Sequence, residues 1–304
     1  MGYILTTNKL TKTYGNKDAA KDIDIHIREG EIYGLIGRNG AGKTTIMRML
    51  SRLSNPTSGT ISLYGKEGKE AKKYFSSIGV LIESPGIYPN LSAFENLKIK
   101  SIAFGCYSKE YVNSLLELIG LENTGKKPAG SFSLGMRQRL GIGLALVGDP
   151  KLIILDEPIN GLDPQGIVEV REMLEKLRDE KHITIMISSH ILDELGKLAD
   201  SYGIIHEGKL IDEFSTQDLS TRCGQYVLIN STDNDAAVKA LKAAGYNNIE
   251  INSEKNVIVN EKLDESDKMI KALVNAGVGV KEAFVKNVSL EDYYLSVTGG
   301  HHNG

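Results

Sequence analysis

The chain has 304 residues, 41% of them hydrophobic and 25% charged, with a net charge of −3; this is a globular composition with room for about two domains. The slightly acidic balance gives no support for a nucleic-acid footprint, which shows as a basic patch or stripe. Two cysteines, Cys106 and Cys223, lie far apart without metal-ligand spacing, so two reduced thiols are expected rather than a disulfide framework.

No apolar run approaches the ~20 residues needed to cross a bilayer. Met1 to Lys9 lacks the basic start and apolar core of a signal peptide. Gly2 and Thr6 do not make a myristoylation signal, because Tyr3-Ile4-Leu5 reads better as a strand. The expectation is a cytoplasmic protein whose membrane role comes only through a partner.

In chain order, residues 3–8 and 22–27 read as strands, with Thr13-Tyr14-Gly15 between them. Asp22 to Arg28 alternates polar and apolar, the pattern of a half-buried strand. Glu31 to Ile36 reads as a buried strand running into Gly37-Arg38-Asn39-Gly40-Ala41-Gly42-Lys43-Thr44-Thr45, and Thr44 to Leu50 as the helix leaving it. That stretch fits G-x-x-x-x-G-K-[ST], the phosphate-binding loop of nucleotide triphosphatases. Its glycines let successive N–H groups point inward as an anion nest. The helix N-terminus adds partial positive charge. Lys43 can reach the terminal phosphates, and the Thr44 hydroxyl can ligate Mg²⁺.

Beyond the loop, Pro56 to Gly59 is a turn and Thr60 to Gly65 a short strand. Ile78 to Ile82 is a buried strand ending at Glu83-Ser84-Pro85-Gly86. Residues 92–104 and 108–119 read as helices with Ser92 and Ser108 as N-caps. Ser131 to Val147 begins as a loop and becomes a helix. Lys151 to Leu155 is an apolar strand closed by Asp156-Glu157, residues 165–180 a charged amphipathic helix, and Ile183 to Ile187 another buried strand ended by Ser188-Ser189-His190. Residues 201–206 and 209–214 form a hairpin across Glu207-Gly208. Apolar strands alternating with helices imply parallel strands buried on both faces.

The character changes near Ser215 to Gly224. Strand, helix, strand, strand, helix and strand then follow between Gln225 and Lys286, with a last short helix over 289–297. That order is the split βαβ sandwich. His301-His302 reads as a solvated tail rather than a metal site.

Two further patterns carry chemistry. An aspartate closing an apolar strand, in a chain with a phosphate loop, is placed to hold Mg²⁺, and Glu157 beside it is available to polarise an attacking water. Phe132-Ser133-Leu134-Gly135-Met136 puts a serine and a glycine at the start of a long helix, a second phosphate-binding surface. An ordinary serine N-cap would leave the same pattern.

Taken together, these motifs resemble the ATP-binding subunit of ABC transporters over residues 1–215. Phe132 to Met136 resembles the family signature, keeping Ser133 and Gly135; Asn160-Gly161-Leu162-Asp163 resembles its D-loop. The resemblance implies a P-loop NTPase fold of ABC type, with a mixed sheet and antiparallel and helical subdomains, followed over 216–304 by a small C-terminal α+β domain for dimerisation or regulation. It implies ATP and Mg²⁺ as ligands. Tyr14 would stack on adenine, and Gly37 to Thr45 hold phosphate. Thr44, Asp156 and Glu83 would serve Mg²⁺, Glu157 act as base, and His190 contact the γ-phosphate. It also implies partners: a second copy of the chain, whose Ser133 and Gly135 would complete the ATP site, and an integral-membrane permease that holds the subunit at the inner face of the cell membrane.

Glu83 departs from the glutamine the family usually has at this place. The same replacement resembles subunits of lantibiotic exporters, and the run from Ser84 to Leu97 is similar to bacitracin-export subunits. The function expected is an ATP-hydrolysing motor for peptide-antibiotic efflux or immunity. Standing beside it are a non-transport ATPase of the same superfamily, a binding module with incidental hydrolysis, and a subunit serving another cargo. The absence of a long coiled-coil insertion and of a second cassette argues against the non-transport members, and the intact Asp156-Glu157 and His190 argue against the binding module.

Overall fold

The computed structural model describes residues 2–218, 225–252, 255–287 and 289–299. Cys223 and His301-His302 lie outside the described residues. The chain divides into two units between Phe214 and Ser215, and each is taken by itself.

The first unit opens with Tyr3–Tyr14 (β1), Lys17–Ile23 (β2) and His26–Arg28 (β3). β1 is longer than residues 3–8, and Thr13-Tyr14 belongs to it. Gly15, at φ +58°, makes the tight turn that brings β2 back. The polar run of Lys17 and Asp18 hides β2 in the sequence; only Ala20 and Ile23 are fully buried, three residues apart across a register shift in the pairing with β1. A strand with one face in water tolerates that pattern. Ile32–Ile36 (β4) and the helix Lys43–Leu50 (α1) follow, then Ser58–Leu63 (β5). β2, β3 and β5 all pair with β1 antiparallel.

The remaining strands are Ile78–Leu81 (β6), Leu152–Asp156 (β7), Thr184–Ser189 (β8), Ser201–His206 (β9) and Lys209–Ser215 (β10). They join β4 in a sheet of order β10-β9-β4-β8-β7-β6. The β9-β4-β8-β7-β6 run is parallel. β4, β7 and β8 are buried at every residue, which is why they read as continuous apolar runs. Each large aliphatic side chain taken fully out of water there contributes ~1.5–3 kcal/mol.

Ala93–Ala103 (α2) and Lys109–Leu118 (α3) are started by Ser92 and Ser108. Ser92 and Glu95 form a reciprocal capping box, whose hydrogen bonds hold the Glu95 carboxyl below its usual range. Leu134–Leu146 (α4) is apolar nearly all round and sits buried from Leu140 onward. Pro164–Lys181 (α5) shows one buried stripe, Val170, Met173, Leu174 and Leu177, and Asp163 caps it. Leu192–Leu198 (α6) follows β8.

The second unit contains Gln225–Ser231 (β11), Asn234–Ala243 (α7), Ile249–Ile251 (β12), Val257–Val259 (β13), Ser266–Asn275 (α8), Val280–Asn287 (β14) and Leu290–Thr298 (α9). Its sheet runs β12-β13-β11-β14, antiparallel throughout, the strand order of a split βαβ sandwich. One face carries Val227, Ile229, Val257 and Val259 into a core with Ala237, Leu241, Met269 and Leu273, the buried stripes of α7 and α8.

Candidate functional site

The site is built where β4, β7 and β8 end together. Their parallel pairing puts Ile36 opposite Ser189 and Asp156 opposite Ser188, so the phosphate loop, the Asp156-Glu157 pair and His190 all leave the same sheet edge. Carboxyl ends of parallel strands are where open α/β sheets bind ligands.

Two glycines of the loop are dictated by close approach. A Cβ on Gly37 would stand 2.6 Å from the Ile205 carbonyl oxygen, and one on Gly42, at φ +113°, 2.5 Å from that of Ala19. The loop is also braced by the β9–β10 turn: Gly208 N–H donates to the Ala41 carbonyl at 2.9 Å, and Lys21 N–H to the Gly208 carbonyl at 2.7 Å. Lys43 is 5% exposed; its Nζ donates to the Gly37 carbonyl at 2.5 Å and lies 3.1 Å from Glu157 Oε1.

Asp156 is buried and held by two hydroxyls. Thr44 Oγ1 donates to its Oδ2 at 2.8 Å and Ser188 Oγ to its Oδ1 at 2.6 Å. The same Ser188 oxygen accepts from the Glu157 amide at 2.9 Å. Glu157, at φ +49°, takes a left-handed backbone uncommon for a side-chain-bearing residue. It receives His190 Nδ1 on Oε2 at 2.7 Å. Its other oxygen, Oε1, is buried and accepts no hydrogen bond, the Lys43 contact being ionic only. Ser189 caps the following turn, accepting from the Ile191 amide at 2.9 Å.

Gly40, Gly42, Lys43, Thr44 and Glu157 wall a cavity of about 600 Å³ with Lys17, Asp18, Arg38, Asn39, Thr45 and Glu207, while Asp156 and His190 stand behind that wall, bonded to Thr44 and Glu157. Of the residues singled out from the sequence, the structure brings Gly37 to Thr45, Asp156, Glu157 and His190 together. Tyr14, Ser133, Gly135 and Glu83 are not among the cavity walls. Tyr14, 51% exposed, has the Lys12 ammonium 5.0 Å from its ring centroid. Ser133 caps α4, accepting from the Met136 amide at 3.2 Å. Glu83, at φ +66°, forms an ion pair with Arg48.

Three contributors escaped sequence reading. Ser188 read only as a strand end, Gly208 only as a turn, and Arg48 only as part of the helix over Thr44 to Leu50. A buried serine two residues before His190 is the one available signal for the first.

The donor set suits a nucleotide with a hard divalent cation. Asp156 and the Thr44 hydroxyl are oxygen ligands, and Glu157 Oε1 is a buried acceptor faced by the Lys43 ammonium at 3.1 Å. Among the described residues no cluster of three or more His, Cys, Asp or Glu stands ready to hold a metal. Mg²⁺ accordingly fits here in its usual manner, through one or two carboxylates plus substrate phosphates.

A family model described as "ABC transporter" matches residues 20–160. The chain is 42% identical over 302 residues to the bacitracin transport ATP-binding protein BcrA of Bacillus licheniformis, covering 99% of both chains. It is 47% identical over 210 residues to the lantibiotic transport ATP-binding protein SrtF of Streptococcus pyogenes, covering 69% of this chain and 90% of that one. Among solved structures, cbiO1 of Clostridium perfringens, part of the ABC transporter complex cbiONQ, superposes with a TM-score of 0.66 at 27% identity, covering 73% of this chain and 92% of that one.

Proposed function

This chain belongs to the ABC transporter ATP-binding family, and from that premise we propose that two copies bind two MgATP head to tail, close on them, and push on a separately encoded membrane permease. The chain is an ATPase of that family. The observation that carries the reading is the convergence of Lys43, Thr44, Asp156, Glu157 and His190 at one sheet edge.

Each group has a task in this reading. Lys43 and the amides of Gly37 to Thr45 hold the phosphates, and Tyr14 offers its exposed ring to adenine. Thr44 and Asp156 hold Mg²⁺, with Glu83 beside them; the cation would neutralise phosphate charge. Glu157 is the base, its carboxylate accepting a proton from the attacking water once Lys43 turns from it to the phosphates. His190 orients Glu157 through the 2.7 Å contact and reaches toward the γ-phosphate.

Ser133 and Gly135 serve the site of the second copy. A Cβ on Gly135 would meet only Leu162 and Gly166, at 3.8 and 4.0 Å, which is ordinary packing. A glycine inside a helix costs up to ~1 kcal/mol relative to alanine, and nothing among the described residues requires this one. Close approach of a second copy's ATP would.

The permease is assigned to an apolar cavity of about 460 Å³ lined by Leu53, Leu81, Ile82, Pro85, Tyr88 and Ile99. Leu53, Tyr88 and Ile99 are 65%, 55% and 41% exposed, and the turn carrying Glu83 forms its lip. Among the described residues no helix is long and apolar enough to cross a membrane, so this groove would hold the subunit at the inner face of the cell membrane. The cargo is read as a peptide antibiotic of the bacitracin or lantibiotic kind, supported by the full-length likeness to BcrA. Residues 216–304 are read as a dimerisation or regulatory accessory.

The test is Glu157→Gln. It should bind ATP, lose turnover by ~10²–10⁴, and accumulate ATP-bound dimers in size-exclusion chromatography. Undiminished turnover would overturn the assignment of the base.

A further inference from the structure

Arg48 and Glu83 come from different elements and meet in an ion pair one helical turn beyond Thr44. Arg48 stands four residues after Thr44 on α1, so the two side chains share a helix face, and Thr44 is itself bonded to Asp156. Glu83 follows β6, which pairs with β7 so that Leu81 lies opposite Leu155. Glu83 and Glu157 therefore each stand two residues beyond a paired position on neighbouring strands. Three carboxylates, Glu83, Asp156 and Glu157, sit along one edge. Glu157 has Lys43 as its cation and Glu83 has Arg48. Asp156 has two hydroxyls and, among the described residues, no cation.

We propose that Arg48 is a positioning residue that competes with the divalent cation for the Glu83 carboxylate. This rests on the reading of Glu83 as a metal-facing residue. With the ion pair made, Glu83 and Arg48 together are neutral, as a glutamine at position 83 would be, and the site presents Asp156 alone. With the pair open, the site presents two carboxylates to the metal. The two side chains are 40% and 62% exposed, and an exposed pair is weak enough to open readily. The left-handed backbone at Glu83 adds a reason for holding it, since such positions persist when their surroundings determine them.

The measurement is Mn²⁺ binding to the full chain saturated with a non-hydrolysable ATP analogue, read as free Mn²⁺ by electron paramagnetic resonance. Arg48→Gln should tighten Mn²⁺ about two- to five-fold, the scale of an exposed ion pair, and Arg48→Lys should stay near wild type. In a Glu83→Gln background, Arg48→Gln should change nothing further. Arg52→Gln, whose guanidinium lies 4.1 Å from the Phe75 ring centroid, controls for general loss of positive charge. An equal effect of Arg48→Gln with and without the Glu83 carboxylate, or one no larger than that of Arg52→Gln, overturns the proposal. If Glu83→Gln weakens Mn²⁺ but Arg48→Gln moves nothing, Arg48 loses its role while Glu83 keeps its own. If Glu83→Gln also moves nothing, both fall.

Discussion

Lys43 Nζ stands 3.1 Å from Glu157 Oε1, with the lysine 5% and the glutamate 20% exposed. The phosphate-loop cation and the carboxylate proposed as base thus share a half-buried ion pair, and each has a second attachment: the Gly37 carbonyl for Lys43, and His190 for Glu157. Removing one partner of such a pair leaves the other charge desolvated. Lys43→Ala is expected to weaken nucleotide binding by about 10- to 100-fold, the scale of lost hydrogen bonds to a charged group. Fluorescent-nucleotide titration checks it. Because Glu157 also loses its cation, Lys43→Ala/Glu157→Gln should unfold at a higher temperature than Lys43→Ala alone.

Ser188 ties the two acids together by accepting from the Glu157 amide and donating to Asp156. It is fully buried, so water cannot replace it without rearrangement. Ser188→Ala should cost ~1–3 kcal/mol of stability for the polar groups left unpartnered, measured by urea denaturation. ATP turnover should fall along with it, since the Glu157 backbone is no longer held. Full turnover in a destabilised variant would separate the two roles and reduce Ser188 to a packing residue.

The loop at Gly37 to Thr45 was legible because its chemistry is local: strand, glycines, lysine and hydroxyl lie within a few residues of one another. So were Asp156-Glu157 and the serine caps at 92 and 108. What was hidden depends on contacts distant in sequence. Gly37 is required by the Ile205 carbonyl and Gly42 by that of Ala19, and no pattern around the loop announces either. β2 was hidden because Lys17 and Asp18 open it, and its burial is decided by β1 across the Gly15 turn. Arg48 could not be matched to Glu83 before the fold brought α1 and the turn after β6 together.

Glu31 gives a pH signature away from the site. It is buried, and burial pushes its carboxyl above the ordinary value of 4.5 despite the Arg28 amide donating to it at 2.7 Å. The folded state therefore holds this proton over a window in which the unfolded chain has lost it. Stability from this group is fully present below 4.5 and falls as pH rises through that window to the folded value, after which the loss is constant. Glu31→Gln keeps an acceptor for the Arg28 amide and removes the ionisation. Its urea midpoint should fall less than that of wild type as pH rises from 4.5 into the neutral range. Parallel pH profiles for the two proteins would show that Glu31 does not titrate as described.

Gly135 separates what the chain needs from what a partner needs. It lies in the first turn of α4, and a Cβ there would find only ordinary contacts with Leu162 and Gly166. Gly135→Ala should leave the fold intact and raise its stability by up to ~1 kcal/mol, the difference in helix propensity. If the phosphates bound by a second copy pack against this position, the same methyl group intrudes on them. ATP-dependent dimers of the Glu157→Gln protein should then weaken when Gly135→Ala is added, by about 10-fold or more, in line with the 1–3 kcal/mol cost of overfilling a packed contact. Binding of ATP to the monomer should be unchanged. Analytical ultracentrifugation with and without ATP reads the dimer, and nucleotide titration at low protein concentration reads the monomer. Stabilisation with undiminished dimer formation would remove Gly135 from the ATP sandwich and leave α4 with an unexplained glycine.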